Sequence, residues 1–78
     1  MQEFRIRLRS FADVRDFIQI STAQPFQVRI GNDHQMTNAT SYMGLLSLDL
    51  NGLLSVSCDC SDSEFSEFRQ QSACFLAE

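Results

Sequence analysis

The sequence contains no lysine and no tryptophan, and it has one proline, one histidine and three glycines among 78 residues. All six basic residues are arginine, and ten acidic residues bring the net charge to -4. Nucleic-acid binding relies on lysine and arginine side chains that neutralise phosphates. The charge balance therefore argues against nucleic acid as a direct partner.

Long hydrophobic runs are absent as well. Apolar runs such as Leu45-Leu46 and Leu53-Leu54 are far shorter than the roughly 20 residues that a transmembrane helix needs. Residues 1–5 show neither an apolar segment nor a small-residue cleavage site, which predicts that no export signal is present. We therefore expect a cytoplasmic protein that does not enter the membrane.

The cysteines Cys58, Cys60 and Cys74 are odd in number, which does not indicate a disulfide framework. Cys58 and Cys60 lie two positions apart at the end of a predicted strand, so their thiols share one face. His34 could add an imidazole, but it lies in a distant turn, and zinc motifs usually space paired ligands by about two to four residues. We predict no metal site and no cofactor, and interpret the thiols as small buried hydrophobes.

Alternating apolar and polar residues predict four strands. In the first strand, Phe4, Ile6 and Leu8 alternate with arginines, which gives a half-buried strand with a basic outer face. The third strand is short and polar, over residues 35–39, and follows a turn signal at 31–34. The apolar positions of the other two strands are Phe26, Val28 and Ile30 in the second and Leu54, Val56 and Cys58 in the fourth.

Three helices are predicted from capping residues and helical spacing. Ser10 is a candidate N-cap, with Asp13 reaching back from the third position, for a first helix that runs to about Ala23. Ser41 precedes a short second helix over Tyr42–Leu48, which buries Leu45 and Leu48. The residues 61–64 form a second capping box, and a third helix runs from there to the terminus with an apolar stripe of Phe65, Phe68, Ser72, Phe75 and Leu76.

The predicted element order is β-α-β-β-α-β-α within a single domain, residues 1–78. This order favours an α+β open-faced sandwich. A four-stranded, mostly antiparallel sheet carries three helices on one face, and its arginine-bearing face stays open.

The segment Ser41-Tyr42-Met43-Gly44-Leu45-Leu46-Ser47-Leu48 resembles Ser-Ile-Met-Gly-Leu-Met-Ser-Leu, the regulatory-serine segment of the HPr family. HPr is the small phosphocarrier of the bacterial sugar phosphotransferase system, and the element order and length are similar to those of that family. The resemblance implies an HPr-like fold and identifies Ser41 as a regulatory site for HPr kinase. The alternative is a purely structural role, in which Ser41 serves only as an N-cap.

The family's phosphoacceptor motif, Gly-(Leu or Ile)-His-(Ala or Thr)-Arg-Pro, is not kept. Alignment without gaps sets Ser10 at the histidine, Ala12 at the arginine and Asp13 at the proline. A serine phosphate ester is far less reactive than a phosphoramidate, and Asp13 repels an incoming phosphoryl group. We therefore interpret Ser10 as a degenerate phosphoacceptor position that now caps the helix.

The resemblance also implies a partner-binding surface in which Tyr42, Met43 and Leu46 face outward beside Phe11 and Arg15. We expect a regulatory or protein-interaction domain rather than an enzyme. Its partners would be HPr kinase, phosphotransferase-system proteins or a transcriptional regulator involved in carbon catabolite regulation, and the chain would be a monomer or weak dimer.

Two other functions stay open. One is a phosphocarrier that acts through a non-standard residue, Ser10 or His34. The other is a paralogue without a switch that associates with itself, for example through the edge strand at 35–39. The outward side chains could also be ordinary surface, since many proteins expose single apolar residues.

Overall fold

The computed structural model describes residues 2–77. Four strands form one sheet: β1 (Gln2–Ile6), β2 (Val28–Gly31), β3 (Met36–Asn38) and β4 (Leu54–Cys58). The helices are α1 (Phe11–Thr22), α2 (Tyr42–Leu46) and α3 (Asp62–Gln71), and a 3-10 turn follows at Ala73–Phe75. The order agrees with the predicted one.

The sheet has the strand order β1-β4-β2-β3, and every pairing in it is antiparallel. Val56 on the central strand β4 lies opposite Phe4 on β1 and opposite Ile30 on β2. Ile30 in turn lies opposite Thr37 on the edge strand β3. The α+β open-faced sandwich predicted from the sequence is confirmed.

The two faces of the sheet differ as the period-two pattern predicts. Arg5 on β1 and Arg29 on β2 are exposed on the open face. The opposite face is covered by the helices, and its contribution to the hydrophobic core consists of Phe4, Ile6, Val28, Ile30, Leu54, Val56 and Cys58.

The helix α1 buries the four positions expected from its spacing, Val14, Phe17, Ile18 and Ser21. The Phe68 ring of α3 connects this helix to the sheet. Its centroid lies 6.1 Å from that of Phe17 and 5.6 Å from that of Phe4 on β1. Phe26, just before β2, lies 5.7 Å from the same ring. These contacts fix α1 and α3 side by side over the sheet.

The third helix ends earlier than the sequence predicts. It stops at Gln71, and the chain then forms a bridge between Leu76 and Ile6. The Arg7 N–H donates to the Phe75 carbonyl (2.8 Å), and the Ala77 N–H donates to the Arg5 carbonyl (3.1 Å). Because β1 is an edge strand, its outer backbone groups need partners, and the last residues supply them. Phe75 is still buried, as the stripe predicted.

None of the helices within residues 2–77 combines the length and the apolar character that crossing a membrane requires.

The short helix α2 lies very close to the edge strand β3. A methyl group added to Gly44 would overlap Thr37 Oγ1 and come within 3.2 Å of Thr37 Cβ and Cγ2. Beyond the helix, the Gln35 side chain donates to Ser47 Oγ (3.4 Å). Glycine at position 44 is thus what allows α2 to approach the sheet.

The Gly44→Ala change tests this close approach. Alanine is favoured over glycine in a helix by about 1 kcal/mol, but overpacking against Thr37 costs roughly 1–3 kcal/mol. We expect a net loss of stability, measured as the free energy of unfolding in urea. In a Thr37→Ala background the same change should become neutral or stabilising. A loss of equal size in both backgrounds would contradict the proposed contact.

Cys58 is fully buried on β4, next to the half-buried Cys60. Burial raises the pKa of the Cys58 thiol from 9.0 to about 12, and the adjacent Cys60 thiol adds to the shift. Burial and the charge of Glu64 also raise the pKa of Cys60. Both thiols are therefore poor nucleophiles in the folded protein.

This raised pKa predicts a loss of stability in alkali. Above about pH 9 the unfolded chain releases the Cys58 proton while the folded chain keeps it, up to about pH 12. The free energy of unfolding should then fall by at most about 1.4 kcal/mol per pH unit from this thiol. Cys58→Val should flatten the profile, whereas Cys74→Ser, at an exposed site, should not. Identical slopes in all three proteins would refute the assignment.

Candidate functional site

The N-terminal end of α1 and the helix α2 meet at the surface. The rings of Phe11 and Tyr42 stack with centroids 6.3 Å apart and an interplanar angle of 23°. Both rings are exposed at their outer sides, Phe11 to 64% and Tyr42 to 39%. The stack therefore offers a flat aromatic surface that spans two helices.

Met43 and Leu46 extend this surface along α2 and are 81% and 52% exposed. Leu45 and Leu48 turn inward and are buried, so they anchor the segment. We refer to Phe11, Tyr42, Met43 and Leu46 as the docking patch. The outward orientation expected of its members is found in the structure, while their role in binding stays a prediction.

Arg15 lies one helical turn after Phe11 and is exposed. Its Nε forms an ion pair with Asp16 Oδ1 at 3.5 Å. Exposed pairs of this kind contribute little to stability, so the guanidinium can exchange Asp16 for another carboxylate at low cost.

At the N-terminus of α1, side chains accept the backbone N–H groups of Asp13 and Arg9. Ser10 Oγ accepts the Asp13 N–H at 3.2 Å, as predicted for an N-cap. The Asp13 carboxylate reaches back as predicted, but it accepts the Arg9 N–H (3.0 Å) rather than that of Ser10. The backbone N–H of Arg9, the residue before the cap, is thus hydrogen-bonded as well. The Asp13 carboxylate already places a negative charge beside this end of the helix.

Ser41 caps α2 in the same manner. Its backbone is extended, and its Oγ accepts the Gly44 N–H at 3.1 Å. The residue is only partly buried, next to Tyr42 and Met43 of the docking patch. A helix of five residues has a small dipole. The environment of the Ser41 hydroxyl therefore depends more on Tyr42 and Met43 than on the dipole of α2.

A recess of about 270 Å³ adjoins the docking patch and was not predicted from the sequence. Its lining includes Phe11 and Leu46 together with Arg9, Leu50 and Asn51. Leu50 and Asn51 belong to the connection between α2 and β4, where no periodic pattern marks a side chain as buried or exposed. The pair Asn51-Gly52 is typical of a turn, and Gly52 adopts a positive φ of 84°.

His34 lies in the exposed turn between β2 and β3. Asn32 Oδ1 accepts the backbone N–H groups of His34 (2.9 Å) and Gln35 (3.0 Å). Within residues 2–77, no three side chains of His, Cys, Asp or Glu are grouped so that they could hold a metal ion.

At the level of sequence, no family model matches this chain, and no curated protein matches it. The structural comparison gives a different result. HPr-C-His from Thermoanaerobacter tengcongensis is similar with a TM-score of 0.74 and 20% identity, over 95% of this chain and 89% of that one. A phosphocarrier protein HPr from Bacillus anthracis str. Ames is similar with a TM-score of 0.73 and 18% identity, over 97% and 96%. The chain therefore has the HPr fold over nearly its whole length.

Proposed function

We propose that this chain is an HPr-like interaction domain that does not carry phosphoryl groups. It binds a protein partner through the docking patch, with Arg15 at the edge, and phosphorylation of Ser41 changes that binding. The likeness to HPr phosphocarrier proteins in fold supports a relation to the phosphotransferase system.

The observation that carries the proposal is the exposed, stacked pair Phe11 and Tyr42 with Met43 and Leu46 beside it. Of the six large hydrophobic side chains exposed among residues 2–77, four belong to this patch. Aromatic residues and methionine are enriched in protein interfaces, and contiguous apolar surface marks binding sites. An exposed surface of this kind favours binding over a purely structural role.

The start of α1 supports the absence of phosphocarrier activity. An imidazole nucleophile at a helix N-terminus needs backbone N–H groups that are available to phosphoryl oxygens. Here Ser10 Oγ and the Asp13 carboxylate accept the N–H groups of Asp13 and Arg9. The Asp13 charge also opposes a second anion at this end of the helix.

Ser41 is the proposed control point. Phosphorylation adds about -1.5 to -2 charge at pH 7. The phosphate would stand next to Tyr42 and Met43, so it would favour partners that bring arginine and disfavour partners that bring carboxylates. The effect acts directly on the docking patch, because α2 has too few residues for a long-range dipole effect.

The partners that the resemblance implies are HPr kinase, a phosphotransferase-system protein or a transcriptional regulator. We propose that the chain works in the cytoplasm as a binding protein rather than an enzyme, as a monomer or weak dimer of one domain.

The missing phosphocarrier chemistry can be tested with enzyme I and phosphoenolpyruvate. We expect no acid-labile phosphate on this chain. A histidine-containing HPr that is a substrate of the same enzyme I should be labelled to completion. His34→Gln is the matched variant, because His34 is the one imidazole in the sequence. Stoichiometric phosphate on wild type that His34→Gln abolishes would show that the chain is a carrier after all.

Control at Ser41 can be tested with purified HPr kinase and ATP. We expect one phosphate on the folded wild type by mass spectrometry and none on Ser41→Ala. Ser47→Ala, at an exposed serine of the same segment, should be phosphorylated like wild type. Ser41→Ala should also lose about 1 kcal/mol of stability as a lost cap, so its fold is checked by circular dichroism. Absence of phosphate on the wild type would reduce Ser41 to an N-cap.

A further inference from the structure

The recess beside the docking patch continues into a second one. The second recess has a volume of about 250 Å³ and is lined by Arg7 and Gly52 in addition to four residues that it shares with the first. The shared residues are Leu8, Arg9, Leu50 and Asn51. The two recesses therefore form one groove, which leads from the docking patch around the end of α1 towards the arginines that follow β1.

The groove changes character along its length. At the patch end its walls combine the apolar Phe11, Val14 and Leu46 with Arg9, Ser10 and Asn51. At the far end they include Arg7 and Arg9, both exposed. Arginine presents a planar fork of donors that matches a carboxylate, and it is enriched in interfaces where lysine is depleted.

No acidic side chain among the described residues lines either recess. The two acids nearest in sequence to the groove each accept a backbone N–H of a residue that lines it. Asp13 accepts the Arg9 backbone N–H (3.0 Å), and Asp49 Oδ1 accepts the Asn51 backbone N–H (3.0 Å). Arg7 and Arg9 are thus the charged residues that line the groove, although the chain as a whole is acidic with a net charge of -4.

We infer that the groove receives a protein segment in which an apolar anchor is followed by acidic side chains. The anchor packs on Phe11 and Leu46, and the carboxylates bind the guanidinium groups of Arg7 and Arg9. This inference rests on the proposed docking function and adds the chemistry of the partner. Charge complementarity favours an acidic protein segment, because the two charged side chains that line the groove are both arginines.

Two short peptides test the inference by NMR titration of the isotopically labelled protein. The acidic probe is acetyl-Phe-Leu-Glu-Glu-amide, and the neutral probe replaces both glutamates with glutamine. We expect both probes to shift the amide resonances of Phe11 and Leu46. The acidic probe alone should also shift those of Arg7 and Arg9, and it should bind about three- to tenfold more tightly at low salt. The difference should vanish near 1 M salt, because exposed charges are then screened.

The matched variants are Arg7→Gln with Arg9→Gln, and separately Arg29→Gln on β2. The double variant should bind both probes equally, whereas Arg29→Gln should keep the preference for the acidic probe. The inference would be overturned if wild type bound the acidic and the neutral probe with equal affinity. It would also be overturned if the Arg7→Gln, Arg9→Gln double variant still preferred the acidic probe. Either result would leave the docking function intact. Shifts absent at Phe11 and Leu46 with both probes would instead overturn the docking function, and the inference with it.

Discussion

The Phe68 ring lies against rings from three other parts of the chain: Phe4 in β1, Phe17 in α1 and Phe26 before β2. Each aromatic pair contributes roughly 0.5–1.5 kcal/mol beyond the area it buries. In a chain of 78 residues whose three cysteines are free, these contacts replace the disulfides that small domains often need. They set the position of α1 over the sheet, and Phe11 at the first position of α1 is placed with it.

The part of the docking patch that lies on α2 is held in place by weaker interactions. Among the residues of α2, Leu45 is the one that is buried, and the helix is positioned by the Ser41 cap and by the close approach of Gly44 to β3. A five-residue helix has almost no stability of its own. The surface proposed to bind partners therefore joins a rigid element, α1, to one that local changes displace easily. A phosphate on Ser41, or a partner segment bound beside it, would act on α2, the less stable of these two helices.

The sequence was sufficient for those parts of the fold in which local and long-range forces agree. Alternation marked β1 and β4, and the caps at Ser10, Ser41 and Ser61 marked the helix starts. The end of α3 was missed because helical spacing continued to Leu76, while the edge of β1 offered backbone partners that no local pattern reveals. The groove was missed because no local pattern reveals it either. Its lining residues Arg9 and Leu50 belong to two separate connections that lie side by side only in the folded chain.

The chemistry of a phosphocarrier and the surface of a docking protein place different demands on one fold. Phosphoryl transfer through histidine needs an imidazole and open N–H groups at one helix end. Ser10 and Asp13, at the start of α1, lie outside the core. The proposed docking uses the Phe11–Tyr42 stack, which is fixed by the aromatic core on one side and by Gly44 against Thr37 on the other. The buried contacts beneath the stack stabilise the fold whatever the exposed ring faces bind. The proposed docking patch therefore rests on packed contacts, whereas the residues at the start of α1 are held by local hydrogen bonds.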